Sequence, residues 1–244
     1  MIDIHSHIIH EVDDGPSTIL QSLKMVQAAE RLGISTIVAS PHYHAAVFEL
    51  ERLEENYQEL LYKARDYAVA IQLGYEVFIN PDQHIMPDTG KTGITLLEFP
   101  YNADPRRCVA VVSEMEAGNT VPVIAHLERN RIFLDKPEYA VGFIKAGCHI
   151  QVDAASIAGV YGSRIKLFAK RLLELKLADT VASNAHCPED YEKWYFRACR
   201  KVEKWVGKNE ADHLFRKNPL EIINGIQTEE YLGKVPEIVW GRLI

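Results

Sequence analysis

The sequence predicts an α/β fold in which parallel strands alternate with helices and close into a seven-stranded barrel. Seven short apolar segments mostly alternate with segments of helical periodicity. Histidine, glutamate and asparagine residues fall in or just after most of these apolar segments. The first strand is followed by His-Ser-His and two aspartates, and not by the glycine-rich loop of a doubly wound sheet. These observations favour the barrel over the open sheet.

Each predicted element rests on a local pattern. Apolar and polar residues alternate over residues 1–7, which is the two-residue period of a half-buried strand. Thr18 and Gln21 have capping-box spacing, so a helix is predicted to begin at Thr18 and to end at Gly33. The remaining strands are predicted at 34–40, 71–79, 94–99, 121–126, 149–152 and 180–184, and the remaining helices at 49–69, 106–117, 138–146 and 163–177, with mainly helical sequence to about residue 224.

Composition and charge limit the classes of function. A chain of 244 residues with 47% hydrophobic and 25% charged residues is typical of a globular protein, and no shift in composition marks a linker. One domain, residues 1–244, is therefore expected. The formal net charge of -7 argues against a nucleic-acid or anionic-membrane binder. No signal-peptide pattern and no apolar run of about 20 residues is found, so a cytoplasmic location without membrane insertion is expected.

The cysteines point to no cysteine chemistry. Cys108, Cys148, Cys187 and Cys199 show no Cys-x-x-Cys spacing, which argues against a disulfide framework and a zinc ribbon. None has an arginine six positions later, as the loop of a cysteine-nucleophile phosphatase would require.

The strongest functional signal is the placement of possible metal ligands. His5 and His7 are two apart on a predicted strand, so both imidazoles can face the same way. The carboxyl ends of parallel barrel strands converge on one face, where other residues of this kind would join them. Imidazole and carboxylate ligands together suit manganese, iron or zinc. The sequence therefore predicts a multinuclear metal site formed by His5, His7, His42, Glu76, Glu98, His126, Asn184 and His186.

Longer stretches of the sequence resemble a known family. They read MIDIHSHIIHEVDDGP, TIVASPH, GYEVFI, TLLEFPYN, PVIAHLERN, VASNAH and LFRKNPLEII. They are similar to the polymerase and histidinol phosphatase (PHP) superfamily, and within it to the bacterial metal-dependent protein-tyrosine phosphatases of capsule and exopolysaccharide loci. This resemblance implies a distorted seven-stranded β/α barrel with three divalent ions, usually manganese or iron, at its carboxyl-end mouth.

The resemblance also implies which residues bind each ion. By position, one ion would be bound by His5, His7, Glu76 and Asn184, a second by Glu76, Glu98 and His126, and a third by Asp14, His42 and His186. Divalent ions held in this way would acidify bound water for attack on a phosphoester. Arg129 matches the phosphate-binding arginine of the family.

Two positions depart from the family pattern. The family has aspartate where this chain has Asn184, and a second arginine where this chain reads CPEDYEKW. A neutral ligand at position 184 is expected to weaken the binding of the first ion, so Asn184→Asp would tighten that binding. The missing arginine would weaken phosphate recognition unless Arg106, Arg107 or Arg131 reaches the site.

Other residues near the predicted mouth are not assigned to the site. Loop histidines are more often exposed to solvent than bound to a metal, and only one of the two adjacent aspartates is needed as a ligand. The unassigned residues are His10, His44, His84, Asp13 and Asp153. Tyr191, Trp194, Tyr195 and Trp205 have helical spacing and are predicted to pack in the interior. For the tail at residues 228–244, two expectations stay open, packing against the barrel or against another subunit.

The predicted function is that of a metal-dependent protein-tyrosine phosphatase with two to three divalent ions, most simply manganese, with iron or zinc as alternatives. Its expected partner is a phosphotyrosine protein, most simply a bacterial tyrosine kinase of polysaccharide synthesis, and a homo-oligomer is compatible with the sequence. Two alternatives remain at this stage. One is a small-molecule phosphatase such as histidinol phosphatase, because substrate choice resides in loops. The other is a weakened phosphatase that is kept as a regulatory binding partner.

Overall fold

A computed structural model of the chain describes residues 1–43, 50–81, 94–114, 121–135 and 137–225. Within these ranges, strands alternate with helices for most of the chain, as predicted for an α/β fold. The nine strands found there are β1 (Ile2–Ser6), β2 (Thr36–Ala39), β3 (His42–Tyr43), β4 (Ala70–Leu73), β5 (Tyr75–Phe78), β6 (Ile94–Glu98), β7 (Val121–Ile124), β8 (His149–Asp153) and β9 (Thr180–Ala182). The helices are α1 (Ile19–Arg31), α2 (Leu50–Ala64), α3 (Pro105–Glu114), α4 (Arg131–Asp135), α5 (Ala140–Lys145), α6 (Ala154–Ala158), α7 (Ser163–Glu174), α8 (Phe196–Val206), α9 (Lys208–Asp212) and α10 (Asn218–Ile223).

All strand pairs are parallel, and they form two sheets. One sheet has the order β1-β2-β4, and the other has the order β3-β5-β6-β7-β8-β9. Neither sheet closes on itself through strand pairing within the described ranges, so the closed seven-stranded barrel is not confirmed. The structure establishes an α/β fold with two parallel sheets.

One predicted strand is divided and another is followed by a short additional strand, which explains why nine strands are found where seven were expected. The strand predicted at 34–40 appears as β2, and Pro41, which has no N–H to donate, separates it from β3. The strand predicted at 71–79 is divided at Gly74 into β4 and β5. A Cβ atom at Gly74 would lie 2.7 Å from Cγ1 of Val38, so the close approach of β2 requires glycine there.

Helix α1 begins where it was predicted, whereas helix α2 ends before its predicted end. Oγ1 of Thr18 accepts a hydrogen bond from the Gln21 N–H at 3.3 Å, which confirms Thr18 as the N-cap of α1. The Gln21 side chain accepts from the N–H of Ser17 at 2.8 Å instead of returning to Thr18. Helix α2 ends at Ala64, five residues before its predicted end at 69. Helices α4 and α6, of five residues each, were not predicted because a single turn has no detectable period.

The carboxyl end of β1 meets the segment that follows β9. The N–H of His7 donates to the Ala185 carbonyl at 2.9 Å, and the N–H of Asn184 donates to the His5 carbonyl at 2.9 Å. Strands from both sheets therefore end on the same side of the protein, above a core that includes the fully buried Ile4 and Leu96. None of the described helices combines the length and the apolar character that a membrane span needs.

Candidate metal centre

Glu76 lies at the centre of a cluster of histidines. Its carboxylate is 1% exposed, and its Oε2 atom is 3.3 Å from Nε2 of His5, 3.3 Å from Nε2 of His7 and 3.1 Å from Nδ1 of His42. Its Oε1 atom lies 2.8 Å from Nε2 of His126. Parallel strands place these side chains together, because β1, β3, β5 and β7 all end on this side of the protein.

The atoms around Glu76 are arranged to bind a cation more than to satisfy one another. Nε2 of His5 and Nε2 of His7 are only 3.2 Å apart, although two neutral imidazoles can share only one proton there. Oε2 of Glu76 is buried and has no aligned hydrogen-bond donor in the described part of the chain. Ligand atoms that converge without pairing are what a divalent ion requires, so the residues present fit a metal site.

A second group of ligands lies next to the first. Oδ1 of Asp14 is 3.2 Å from Nε2 of His186 and 3.5 Å from Nε2 of His42. Oε1 of Glu98 is 3.8 Å from Nε2 of His126. Three sets offer ligand atoms within 4.8 Å of one another, namely His7, Asp14, His42 and His186; His5, His7 and Glu76; and His42, Glu76 and Glu98. All the predicted histidine and carboxylate ligands therefore lie in one connected region.

The electrostatics follow from the burial of these groups around one carboxylate. Burial alone would lower the pKa of His7, but the neighbouring carboxylates of Asp13 and Glu76 raise it to about 10. Burial likewise opposes ionisation of His126, whose pKa Asp153 and Glu76 raise to about 9. Desolvation and the neighbouring His7 lower the pKa of His42 to about 4. A divalent ion would replace the protons that the metal-free cluster holds on His7 and His126.

Two residues that the sequence analysis did not assign to the site orient its histidines. Asp13 lies behind His7, with its Oδ2 atom 2.7 Å from Nδ1 of that ring, which leaves Nε2 to face the cluster. Gln151 was missed. Its Oε1 atom is 3.1 Å from Nδ1 of His5 and accepts the His126 N–H at 3.1 Å. The available signal was a polar glutamine inside the apolar strand predicted at 149–152.

Asn184 lines the same cavity as His42, His126 and His186. Its Nδ2 atom donates to Oδ2 of Asp153 at 3.3 Å. Its Oδ1 atom is buried and has no hydrogen-bond partner among the described residues. Asn184 therefore presents an oxygen that can accept a cation.

Arg129 faces the same cavity as the ligand cluster. The cavity encloses about 450 Å³ and is lined by Asp14, His42, Glu76, Glu98, Tyr101, His126, Arg129, Tyr161, Asn184, His186 and Trp194, among others. Nη1 of Arg129 lies 3.3 Å from Oδ2 of Asp153, and Nη2 donates to the Tyr101 hydroxyl. The guanidinium carbon is 5.0 Å from the centre of the Tyr101 ring and 4.7 Å from that of Tyr161. Arg129 is thus held in place next to the candidate ligands.

Among the described residues, no second arginine lines the cavity beside Arg129. Arg106, Arg107 and Arg131 do not line the cavity in the part of the chain that the structure describes. Arg106 instead bonds to Asp104 at the surface, with Nη2 and Oδ2 3.3 Å apart. The expected compensation by another loop is therefore not found among these three residues.

The structure can also be compared with the predictions for the other histidines and the aromatic residues. His10 lies outside the cluster, with its Nε2 atom 3.4 Å from Oε2 of Glu59. His44 and His84 fall outside the described ranges. Tyr191 and Tyr195 are fully buried, as predicted for packing residues. Trp194 differs from that prediction, because it lines the cavity.

Comparisons with known proteins agree with this geometry. The family described as capsular polysaccharide synthesis, CpsB/CapC, matches residues 1–224. The tyrosine-protein phosphatase YwqE of Bacillus subtilis is 33% identical over 199 residues, which cover 76% of this chain and 77% of YwqE. The tyrosine-protein phosphatase CpsB of Streptococcus pneumoniae is 29% identical over 238 residues, which cover 91% of this chain and 98% of CpsB.

A solved structure extends the similarity to three dimensions. It comes from the crystal structures of YwqE from Bacillus subtilis and CpsB from Streptococcus pneumoniae, which are described as unique metal-dependent tyrosine phosphatases. The match has a TM-score of 0.82 and 30% identity, and it covers 93% of this chain and 96% of the other. The resemblance noted from the sequence is confirmed: this chain belongs to the CpsB/CapC family of capsular polysaccharide synthesis.

Proposed function

We propose that this protein is a metal-dependent phosphomonoester hydrolase that removes phosphate from phosphotyrosine. The observation that carries the proposal is the presence of Arg129 and three overlapping sets of metal ligands in one cavity. A phosphate in that cavity would meet the guanidinium on one side and the ligand cluster on the other. The tyrosine-protein phosphatases among its relatives support the same reaction.

The metals that we propose are two to three divalent ions, most simply manganese, with iron or zinc as alternatives. The proposed ligands are His5, His7, Asp14, His42, Glu76, Glu98, His126, Asn184 and His186. The mixture of imidazole nitrogen and carboxylate oxygen supports these metals over magnesium and calcium. Bound ions would lower the pKa of water and neutralise phosphate oxygens. Asp13 and Gln151 would keep His7 and His5 oriented towards them.

Arg129 would bind the phosphate oxygens and stabilise the charge that develops on the phosphoryl group. Asp153, Tyr101 and Tyr161 hold its guanidinium before substrate arrives, which reduces the entropy lost on binding. Tyr101 and Tyr161 are 42% and 41% exposed, so the rim also offers apolar surface to the ring of a phosphotyrosine.

The proposed substrate is phosphotyrosine on a protein, in particular on a tyrosine kinase of polysaccharide synthesis. The assignment of the family to capsular polysaccharide synthesis supports this partner. We place the reaction in the cytoplasm, where the ATP that such a kinase consumes is found. We further propose that residues 1–244 form one domain, of which 228–244 lie outside the described ranges.

We also propose that the two sheets are parts of one interrupted seven-stranded barrel. The Gly74 N–H donates to the Ala39 carbonyl at 2.8 Å and the Glu76 N–H donates to the Pro41 carbonyl at 3.0 Å, which links the β2–β4 pair to the β3–β5 pair. A parallel bridge between Ser6 and Ala185 links β1 to the end of β9. These bonds support a continuous ring of strands.

The test is a substrate panel with controlled metal content. Purified protein, metal-free or loaded with manganese, is mixed with a phosphotyrosine peptide, the matching phosphoserine peptide or L-histidinol phosphate. We expect metal-dependent phosphate release, fastest from phosphotyrosine, and its loss in Glu76→Gln. Turnover by the metal-free protein, or preference for histidinol phosphate, would contradict the proposal.

A further inference from the structure

Strand β8 contributes no predicted metal ligand, yet it carries two buried polar residues beside the site. Gln151 and Asp153 are two residues apart on this strand, so their side chains face the same way, and both are fully buried. Buried polar groups are costly unless they are hydrogen-bonded, so the partners of these two residues indicate what they do.

Asp153 is the point at which several of these contacts meet. Its Oδ1 atom accepts from Nε2 of Gln151 at 3.0 Å. Its Oδ2 atom is 3.3 Å from Nη1 of Arg129 and 3.3 Å from Nδ2 of Asn184. One carboxylate thus links the candidate phosphate-binding arginine to the candidate amide ligand.

The contact with Asp153 fixes which way the Asn184 amide points. An ionised carboxylate can only accept hydrogen bonds, so the Nδ2 side of the amide must face Asp153. The Oδ1 atom is then left as the buried acceptor without a partner. An aspartate at position 184 would instead bring two carboxylates to about this same separation.

We propose that Asp153 is a positioning residue that orients the Asn184 amide and supplies, from β8, the negative charge that an aspartate at position 184 would otherwise bring. This inference rests on the proposed metal-dependent function in one respect, which is that the cation bound at the site is a divalent metal ion. It reverses the expectation from the sequence, because Asn184→Asp should now weaken metal binding and not tighten it.

The experiment exchanges the two side chains. Manganese binding to the metal-free chain is titrated for the parent, Asp153→Asn, Asn184→Asp and the double variant, with bound metal counted by elemental analysis. We expect each single change to weaken the most loosely bound ion by about tenfold to a hundredfold, as is usual for partners of metal ligands. The double variant should return to within about threefold of the parent, because an amide at 153 can donate to a carboxylate at 184.

A matched control separates this exchange from the general effect of replacing a buried carboxyl next to Asp153. Glu128 is a fully buried carboxyl that accepts the Asp153 backbone N–H at 2.9 Å, whereas the Asn184 amide bonds to the Asp153 side chain. Glu128→Gln should therefore fail to restore manganese binding to Asn184→Asp. Orthophosphate binding to the manganese-loaded proteins provides a second readout, since Asp153→Asn also removes the ion partner of Arg129.

Each outcome decides the proposal. Recovery in the double variant, but not with Glu128→Gln, would support it. Losses that simply multiply, single variants that bind like the parent, or tighter binding by Asn184→Asp would overturn it. If the single variant Asp153→Asn does not fold, Asn184→Asp is compared with the double variant. Failure of the double variant to regain manganese affinity would then overturn the proposal. A parent that binds manganese but does not hydrolyse phosphotyrosine would contradict only the proposed function.

Discussion

Replacing Asp13 by asparagine tests whether residues behind the ligands control metal binding. Oδ2 of Asp13 lies 2.7 Å from Nδ1 of His7 and accepts the His42 N–H at 3.1 Å, while Oδ1 accepts the Gly15 N–H at 2.9 Å. Asparagine has nearly the same shape but only one accepting atom. Whichever way its amide turns, an N–H will face at least one of these donors.

The size of the effect follows from the bonds that are lost. A hydrogen bond to a charged group contributes about 1.5–3 kcal/mol, and each 1.4 kcal/mol is about a factor of ten in affinity. The bond to His7 is therefore either lost or replaced by a weaker bond to a neutral amide oxygen, which predicts a decrease in metal affinity of about tenfold to a hundredfold, the range known for partners of metal-binding histidines. We expect manganese titration of metal-free Asp13→Asn to show this decrease with the fold unchanged.

The control is Asp104→Asn, which removes an exposed carboxylate of the same type that pairs with its neighbour Arg106 at the surface. That variant should titrate like the parent, because an ion pair at the exposed surface is screened by solvent and lies outside the metal cluster. If Asp13→Asn also titrates like the parent, Asp13 does not orient His7, and the reasoning is wrong.

Three further outcomes are expected. Arg129→Ala should lower turnover on a phosphotyrosine peptide by about tenfold to a thousandfold while the metal content by elemental analysis is unchanged; equal turnover would remove Arg129 from the site. A chelator should abolish phosphate release, and added manganese should restore it; activity that survives complete metal removal would argue against the proposed chemistry. In the metal-free protein, the pKa of His7 is raised to about 10 and that of His126 to about 9 in the folded state. Their stabilising contribution is therefore complete below the unfolded pKa of about 6.5 and is lost as pH rises through these values, so the melting temperature should fall between about pH 7 and 10. A melting temperature that rises over this range would contradict the assignment.

The ligand cluster was predictable from the sequence because its members follow strands that end on one side of the protein. His5, His7 and Glu76 needed only the two-residue period of a strand and the parallel arrangement. The interruption of the strands was less predictable. Gly74 is required because a side chain there would collide with Val38, and that contact joins residues 36 positions apart.

The residues that orient the ligands could not be identified from local pattern alone. Gln151 touches His5, which is 146 positions away, and Asp153 touches Asn184, which is 31 positions away. A buried polar residue in a strand indicates that a partner exists but does not identify it. Only the packing of β8 between β7 and β9 identifies those partners.

Backbone conformation gives an independent indication that the ends of β7 and β9 are built for binding. His126 has φ 32 and Asn184 has φ 48, and they are two of the four non-glycine residues with positive φ in the described ranges. Such a conformation costs of the order of 1–2 kcal/mol per residue, somewhat less for asparagine. Each of these two residues comes shortly after a strand, His126 after β7 and Asn184 after β9, and each side chain lines the cavity. Binding of a cation by these two side chains, as proposed above, would offset that cost.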